Sequence, residues 1–185
     1  MRLRDIISVA KKKIELTSHE ITRALYWKYA RIQAHVINNV HLLEFESDFL
    51  YVTESGYMSE IEIKVTRSDF RADFKKQRTV YDRVTTLKNT VVKHVILPQG
   101  LTGLKQFSFA VPKGLITKDE VPEYAGLCYV IKTPRAGHIS LRWIKQPPSL
   151  PHPRVISKKE IRHINRSITC RWVDFWLKGK ITDSS

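Results

Sequence analysis

The chain has 185 residues, 42% hydrophobic and 27% charged, and its 32 Lys and Arg outweigh 18 Asp and Glu to give a net charge of +14. That composition suits one globular domain with a sizeable core and excludes a disordered chain. The positive excess calls for a polyanionic partner, nucleic acid rather than a membrane, because there is no long apolar run and no lipidation signal.

The opening MRLRDIISVAKKKIEL lacks an apolar core long enough for a signal peptide. It reads instead as a short helix over Asp5 to Leu16, with Lys11 to Lys13 outward. Thr17-Ser18-His19-Glu20 is a capping box, a hydroxyl followed three residues later by Glu. The helix it starts, Ser18 to Ala34, places Ile21, Leu25 and Ile32 near one face, with Tyr26, Trp27 and Tyr29 as core. Asn38-Asn39 is a turn signal between helix and sheet. Val40 to Phe45 then continues into the next strand or forms an antiparallel neighbour of it.

Asp48 to Thr53 (DFLYVT) and Glu60 to Thr66 (EIEIKVT) are strand-like, and the second alternates strictly between polar and apolar. Ile61, Ile63 and Val65 therefore share one face, and Glu60, Glu62 and Lys64 the other. Glu54-Ser55-Gly56 makes a three-residue hairpin loop closed by a glycine. If Thr53 pairs with Tyr57, Asp48 falls directly opposite Glu62. Two carboxylates roughly 5 Å apart across a ladder repel unless something neutralises them. A hard divalent cation does so, since Mg²⁺ takes one or two carboxylates, several waters and a phosphate oxygen. Lys64, two residues on and on the same face, can reach a phosphate or a bound water.

Further along, Ser68 caps a helix with Asp69 in its first turn and Phe70 and Phe74 on its buried side. Asp73 shares a face with Asp69, and Arg71, Lys75 and Lys76 surround the two acids. Asp69 is a helix-dipole partner, an anchor for Arg67, or an orienter of the acid cluster, the dipole role being favoured. Gln77 to Lys93 is polar, and Arg78, Arg83, Lys88 and Lys93 along it suit either phosphate contacts or a solvated linker. Phe107 to Val111, following a helical crossover, lies parallel to the Glu60–Val65 strand. Leu127 to Ile131 is a further strand, and Ile139 to Ile144 pairs with it. Gln146 to Pro153 holds four prolines in eight residues and reads as an extended linker. Ser157 to Glu160 is a second capping box. The helix it opens carries an apolar stripe (Ile161, Ile164, Ile168, Trp172, Phe175) that docks on the domain, and a basic face. Cys128 and Cys170 are far apart and form no Cys-x-x-Cys, which excludes a cysteine-built zinc site and fits a reducing compartment.

Asp48 followed by Glu62-Ile63-Lys64 on consecutive strands resembles the acid and (D/E)-x-K signature of the PD-(D/E)XK nuclease superfamily. Two longer runs, EIEIKVTRSDFRADFKK (Glu60 to Lys76) and FSFAVPKGLITKDEVPEYAGL (Phe107 to Leu127), resemble the MmcB-like family of DNA-repair endonucleases and its phage relatives. In those relatives a Lys-His pair comes soon after the Asp-Phe-Lys-Lys run, whereas here Lys93-His94 follows a longer basic segment. The resemblance spans roughly Thr17 to Val130. It implies an α/β, restriction-endonuclease-like core, a mixed central sheet flanked by helices, with a C-terminal helix added. It also implies divalent-metal-dependent cleavage of DNA, in repair or phage DNA processing, within the cytoplasm of a bacterial or phage-infected cell. Carried over by residue, Asp48 and Glu62 are ligands of Mg²⁺ or Mn²⁺ and Lys64 is the catalytic lysine. Glu20 is the candidate for an additional helix-borne ligand, although its capping role is the better-supported physics.

The expected organisation is a core over residues 1–145, a linker over 146–156 and a basic amphipathic helix over 157–185. Glu60, Asp69 and Asp73 are expected around the metal ligands. Arg67, Lys75, Lys76, Arg78, Arg83, Lys88, Lys93 and His94 are expected to contact DNA. Lys64, beside two carboxylates, is expected to stay protonated. The expected partner is DNA, RNA fitting the charge equally well, with no membrane association, and a homodimer is compatible with the chain. A basic DNA-binding module that keeps the fold without cutting is the rival from another class.

Overall fold

The computed structural model describes residues 16–43, 45–81, 88–133 and 138–182. The expected helix over Asp5 to Leu16 lies, apart from Leu16, outside the described residues. In chain order the elements are helix α1 (Ser18–Tyr29), strands β1 (His35–Val40), β2 (Ser47–Val52) and β3 (Met58–Ile63), and helix α2 (Arg67–Asp73). The hairpin β4 (Gln77–Tyr81) and β5 (Lys88–Val92) and the short helix α3 (Lys93–Ile96) follow. Strands β6 (Gln106–Pro112), β7 (Ala125–Lys132) and β8 (Ile139–Lys145) and helix α4 (Lys158–Thr182) complete the chain.

Six strands form one mixed sheet in the order β1-β2-β3-β6-β7-β8, with β4 and β5 as a separate pair. The first three are an antiparallel meander, β3, β6 and β7 run parallel, and β8 returns antiparallel to β7. The fold is thus α/β with a mixed six-stranded sheet, helices on its faces and a C-terminal helix. The parallel alignment of β3 with the Phe107–Val111 strand agrees with the sequence expectation. The crossover between them differs, because it contains α2, the β4–β5 hairpin and α3 rather than helix alone.

The alternation along β3 sorts the core in two. Ile61 and Ile63 join Ile21, Leu25, Tyr29 and Phe49 beneath α1. On the other face Leu50, Val52 and Met58 meet Phe70, Leu97, Phe107, Phe109 and Val111 beneath α2 and the crossover. Glu60 and Glu62 alternate with the first set and therefore enter the second layer, where both are buried.

Several local expectations change. Helix α1 ends at Tyr29, not Ala34, because His35 to Val40 is already paired with β2 and takes the chain extended. Asn38 and Asn39 sit inside that strand rather than in a turn, and Asn39 adopts φ +46°, a left-handed conformation that asparagine tolerates better than most residues. Of the Val40 to Phe45 run, Val40 closes β1, paired with Ser47, and the described residues after it form the connection to β2, not a strand. Trp27 and Ile32, expected inside, are exposed: Trp27 lies on the face of α1 opposite the buried Ile21, Leu25 and Tyr29, and Ile32 comes after the helix has ended. Thr66, not Ser68, caps α2, its hydroxyl accepting from the Asp69 amide at 3.1 Å.

The proline-rich segment is held against the core instead of hanging free. Leu150 N donates to Lys105 O, Arg154 N to Gly103 O and Ile156 N to Gly56 O, while Leu150 and Ile156 are buried. Glycine is required where this strap presses on the sheet: a Cβ on Gly126 would lie 2.8 Å from Pro147 N. Beyond the strap, Ile164 is buried in α4, but Ile168, Trp172 and Phe175 are exposed. The helix passes edge strand β1, where the Arg171 guanidinium donates to the carbonyls of Asn38 and Asn39, and the sheet extends no further to cover the last turns. The docked apolar stripe is therefore confined to the first turns. No helix among the described residues is long and apolar enough to cross a membrane.

The β2–β3 loop follows the expected three-residue form: Thr53 N donates to Tyr57 O at 2.9 Å and Gly56 has φ +82°. A Cβ at Gly56 would also come within 2.7 Å of Val155 Cγ1 on the strap. Gly56→Ala should therefore lower stability by about 1–3 kcal/mol through backbone strain and the clash. In urea denaturation, adding Val155→Ala should restore the part due to the clash. An unchanged midpoint in Gly56→Ala would show that the strap is not seated there.

Candidate active site

The β2–β3 register pairs Phe49 with Ile61 and Leu50 with Glu60, so one step further places Asp48 opposite Glu62. Ile63 N donates to Asp48 Oδ2 at 2.9 Å, fixing the Asp48 carboxylate at the end of the ladder. Lys64 leaves the strand immediately after and turns its ammonium to 2.7 Å from Glu62 Oε2 and 3.6 Å from Asp48 Oδ2. Its third partner is Asp73 Oδ1, at 2.9 Å. The two acids and the lysine named from sequence thus meet on one face of the sheet.

A second and a third ammonium complete the neutralisation. Lys76 Nζ lies 3.1 Å from Glu62 Oε2 and 2.8 Å from Asp73 Oδ1. Lys93 Nζ is buried between Glu60 and Glu62, bonded to Oε1 of each. Four carboxylates (Asp48, Glu60, Glu62, Asp73) therefore share three ammonium groups, and Asp48 has the longest ammonium contact of the four, 3.6 Å to Lys64. Burial, and then the charge of Glu62, push the Asp48 carboxyl up to about 6. Burial likewise raises Glu60. Glu62 is the opposite case: burial opposes its ionisation, but Lys93, Lys64 and Lys76 together hold it well below the usual carboxylate range. Burial would also strip the proton from Lys64, yet Glu62, Asp73 and Asp48 keep it above its ordinary value and charged, as expected from the sequence.

The cluster opens on one side to a cleft of about 410 Å³ lined by Ser18, His19, Thr22, Asn38, Asn39, Asp48, Ile63, Lys64, Asp69 and Lys76. Asp69, in the first turn of α2, faces this cleft instead of pairing with Arg67. Arg67 is bound to Glu120 at 2.6 Å and to the Leu115 carbonyl, tying α2 to the loop after β6. Glu20 caps α1 through Thr17 and pairs with Lys132 at 2.5 Å, so its carboxylate is spent outside the cleft, whose α1 lining is Ser18, His19 and Thr22.

Two residues expected to contact DNA lie inside. Lys93 is 2% exposed and committed to Glu60 and Glu62, and His94 is packed against Phe74, Phe107 and Phe109. The reason is legible in the run Val91-Val92-Lys93-His94-Val95-Ile96-Leu97: charges within an apolar stretch are carried into the core and must find partners there. Lys76 serves the cluster, with 36% of its side chain exposed. Lys75 and Arg78 are exposed, Lys88 opens β5, and Arg83 is outside the described residues. The polar lining from His19, Asn38 and Asn39 had no motif to announce it, because it depends on α1 and β1 meeting beside β2.

No family model matches the chain, and no curated protein matches it in sequence. Among solved structures it is similar to SPO1766, a protein of unknown function from Silicibacter pomeroyi. The two share 12% sequence identity with a TM-score of 0.53, over 93% of this chain and 97% of that one. At that identity the likeness shows a shared fold.

Removing the central cation tests the electrostatics. Lys93→Met leaves Glu60 and Glu62 confronted in the core and should cost about 3–5 kcal/mol at pH 8, read by chemical denaturation. Without Lys93 both carboxyls take up protons more readily when folded, so the deficit should shrink as pH falls from 8 to 5. A second change, Glu60→Gln, should recover much of it. A Lys93→Met protein as stable as the native one at pH 8 would contradict the pairing.

Proposed function

We propose that the chain is a metal-dependent endonuclease hydrolysing DNA phosphodiester bonds, with Asp48 and Glu62 as ligands of Mg²⁺ or Mn²⁺ and Lys64 as the catalytic lysine. The observation that carries this reading is the meeting of Asp48, Glu62 and Lys64 in the register the sequence dictates, with Asp48 and Lys64 lining an open cleft and Glu62 buried directly behind them. The restriction-endonuclease-like resemblance of the sequence agrees with it, and the net charge of +14 suits a polyanionic substrate.

The donors fit a hard cation and not a closed cage. Among the described residues no three His, Cys, Asp or Glu side chains are grouped to hold a metal. Asp48 on the cleft, with Glu62 behind it once Lys76 gives up its place there, would leave the remaining positions to water and phosphate oxygens, the pattern Mg²⁺ prefers. Asp48 also has the longest ammonium contact of the four carboxylates, which favours a cation on that side. When bound, such an ion supplies Lewis-acid polarisation of a phosphoryl oxygen and an acidified water.

The chain's own groups supply the rest. Lys64 is charged and in contact with three acids, which suits it to stabilise developing negative charge and orient water rather than to accept a proton. Asp73 holds that ammonium from behind. Lys76, the half-exposed member, is the ammonium that can yield its place on Glu62 to an incoming cation or turn to a phosphate. Lys75 and Arg78, on the crossover, are placed outside for the backbone of the substrate. A second reading, a DNA-binding module without cleavage, draws on one observation: both oxygens of Glu62 already carry lysine hydrogen bonds.

A supercoiled-plasmid assay separates the two. With Mg²⁺ or Mn²⁺ the native chain should nick, and Asp48→Asn, Glu62→Ala and Lys64→Met should each lose at least about 100-fold while still binding DNA. Salt-dependent binding without metal-dependent nicking would favour the second reading. Protonated Asp48 is no ligand, so the Mg²⁺ needed for half-maximal rate should climb as pH falls below about 6. Asp48→Asn can still accept from Ile63 N and removes the repulsion with Glu62. The metal-free variant should therefore be more stable than native at pH 8, by about 1–2 kcal/mol, and no longer so at pH 4, where Asp48 is protonated.

A further inference from the structure

We infer that His94, held by Tyr124, is a positioning residue for Lys64, acting through Asp73. The inference rests on the proposed role of Lys64 and extends it to residues that touch neither metal nor substrate.

The geometry is a continuous line of contacts, hydrogen bonds from Tyr124 through His94 to Asp73 and then ion pairs from Asp73 Oδ1. His94 Nε2 lies 2.7 Å from Asp73 Oδ2, and His94 Nδ1 lies 2.7 Å from the Tyr124 hydroxyl. Asp73 divides its carboxylate: Oδ2 takes the imidazole, while Oδ1 takes the ammonium of Lys64 at 2.9 Å and that of Lys76 at 2.8 Å. Asp73 is fully buried, and although burial opposes its charge, the His94 hydrogen bond and the nearby lysines keep it ionised. A carboxylate only accepts, so Nε2 carries the imidazole proton, and Nδ1 is then free to accept from the Tyr124 O–H. This proton order leaves each group one role and fixes the ring's orientation.

Packing locks the same ring. Phe74 lies at 4.4 Å between centroids, Phe109 is stacked at 6.0 Å and Phe107 meets it edge-on at 5.6 Å. Tyr124 stands directly before β7, and His94 is the second residue of α3. Two elements far apart in sequence thus converge on the carboxylate behind Lys64. Remove the imidazole proton, and Asp73 Oδ2 is left buried without that donor. The carboxylate then rotates toward its remaining lysines and carries Lys64 off its line to Glu62 and Asp48. Outer hydrogen bonds of this kind change activity by about 10- to 100-fold in comparable sites.

The test uses the full chain with ¹⁵N-lysine labelling and the plasmid assay together. His94→Phe keeps an aromatic ring in the Phe cluster but deletes both hydrogen bonds. His94→Gln returns a donor to Asp73, and Tyr124→Phe removes one hydroxyl. In the native protein the Lys64 ammonium signal, assigned by its absence in Lys64→Met, should be sharp because a buried ion pair slows proton exchange. In His94→Phe it should broaden or shift, with kcat about 10- to 100-fold lower and KM for DNA unchanged. His94→Gln should restore the signal and most of the rate, and Tyr124→Phe should fall between. An unaltered Lys64 signal in both His94→Phe and Tyr124→Phe overturns the inference. So does equal loss in His94→Phe and His94→Gln, which would mark the imidazole as packing alone. The spectrum is read without cleavage, so a chain that does not cut DNA would defeat the nuclease proposal and leave this result standing.

Discussion

Asp48 and Glu62 confront each other across the β2–β3 ladder on the face that also carries Glu60, and much of the surrounding structure answers the charge this creates. A carboxylate withdrawn from water is costly unless paired and hydrogen-bonded. Lys64 follows on the same strand, Lys76 comes from the end of α2, and Lys93 comes from the far end of the crossover. The crossover that links two parallel strands is also the route by which cations are delivered to the acids on the first of them.

The three lysines differ in freedom, and this gives the site its direction. Lys93 is sealed between Glu60 and Glu62 and belongs to the core. Lys64 is nearly as buried and is gripped by three acids. Lys76 alone among them keeps a third of its side chain in solvent. Charge is therefore fixed at the back of the site and exchangeable at the front, where the cleft opens past Asp48 toward His19 and Asn39. A cation or phosphate arriving from solvent meets the exchangeable side first.

Strict alternation in Glu60–Val65 and the glycine-closed loop were enough to place Asp48, Glu62 and Lys64 together from the sequence, because period-two sorting and hairpin register are local rules. Both capping boxes were legible for the same reason, and the parallel partner strand followed from the crossover rule. Apart from local slips such as the Thr66 cap, what escaped depended on long-range packing. Lys93 and His94 look like surface charges until the apolar residues on either side are counted, and then the run reads as a buried turn. The proline segment looked like a linker because its backbone partners, at Gly56, Gly103 and Lys105, are distant in sequence. Helix α4 showed a full apolar stripe, but no local pattern reveals that the sheet ends beneath its first turns.

The central claim is that the Asp48–Glu62 pair takes a divalent cation on its solvent side while Lys93 stays on its inner side. Crystals grown with Mn²⁺ test this directly through anomalous scattering. The account predicts a peak between the two carboxylates, Lys76 turned out of its contact with Glu62, and Lys93 still bonded to Glu60. Saturating Mn²⁺ with no peak there, and Lys76 still resting on Glu62, would contradict it.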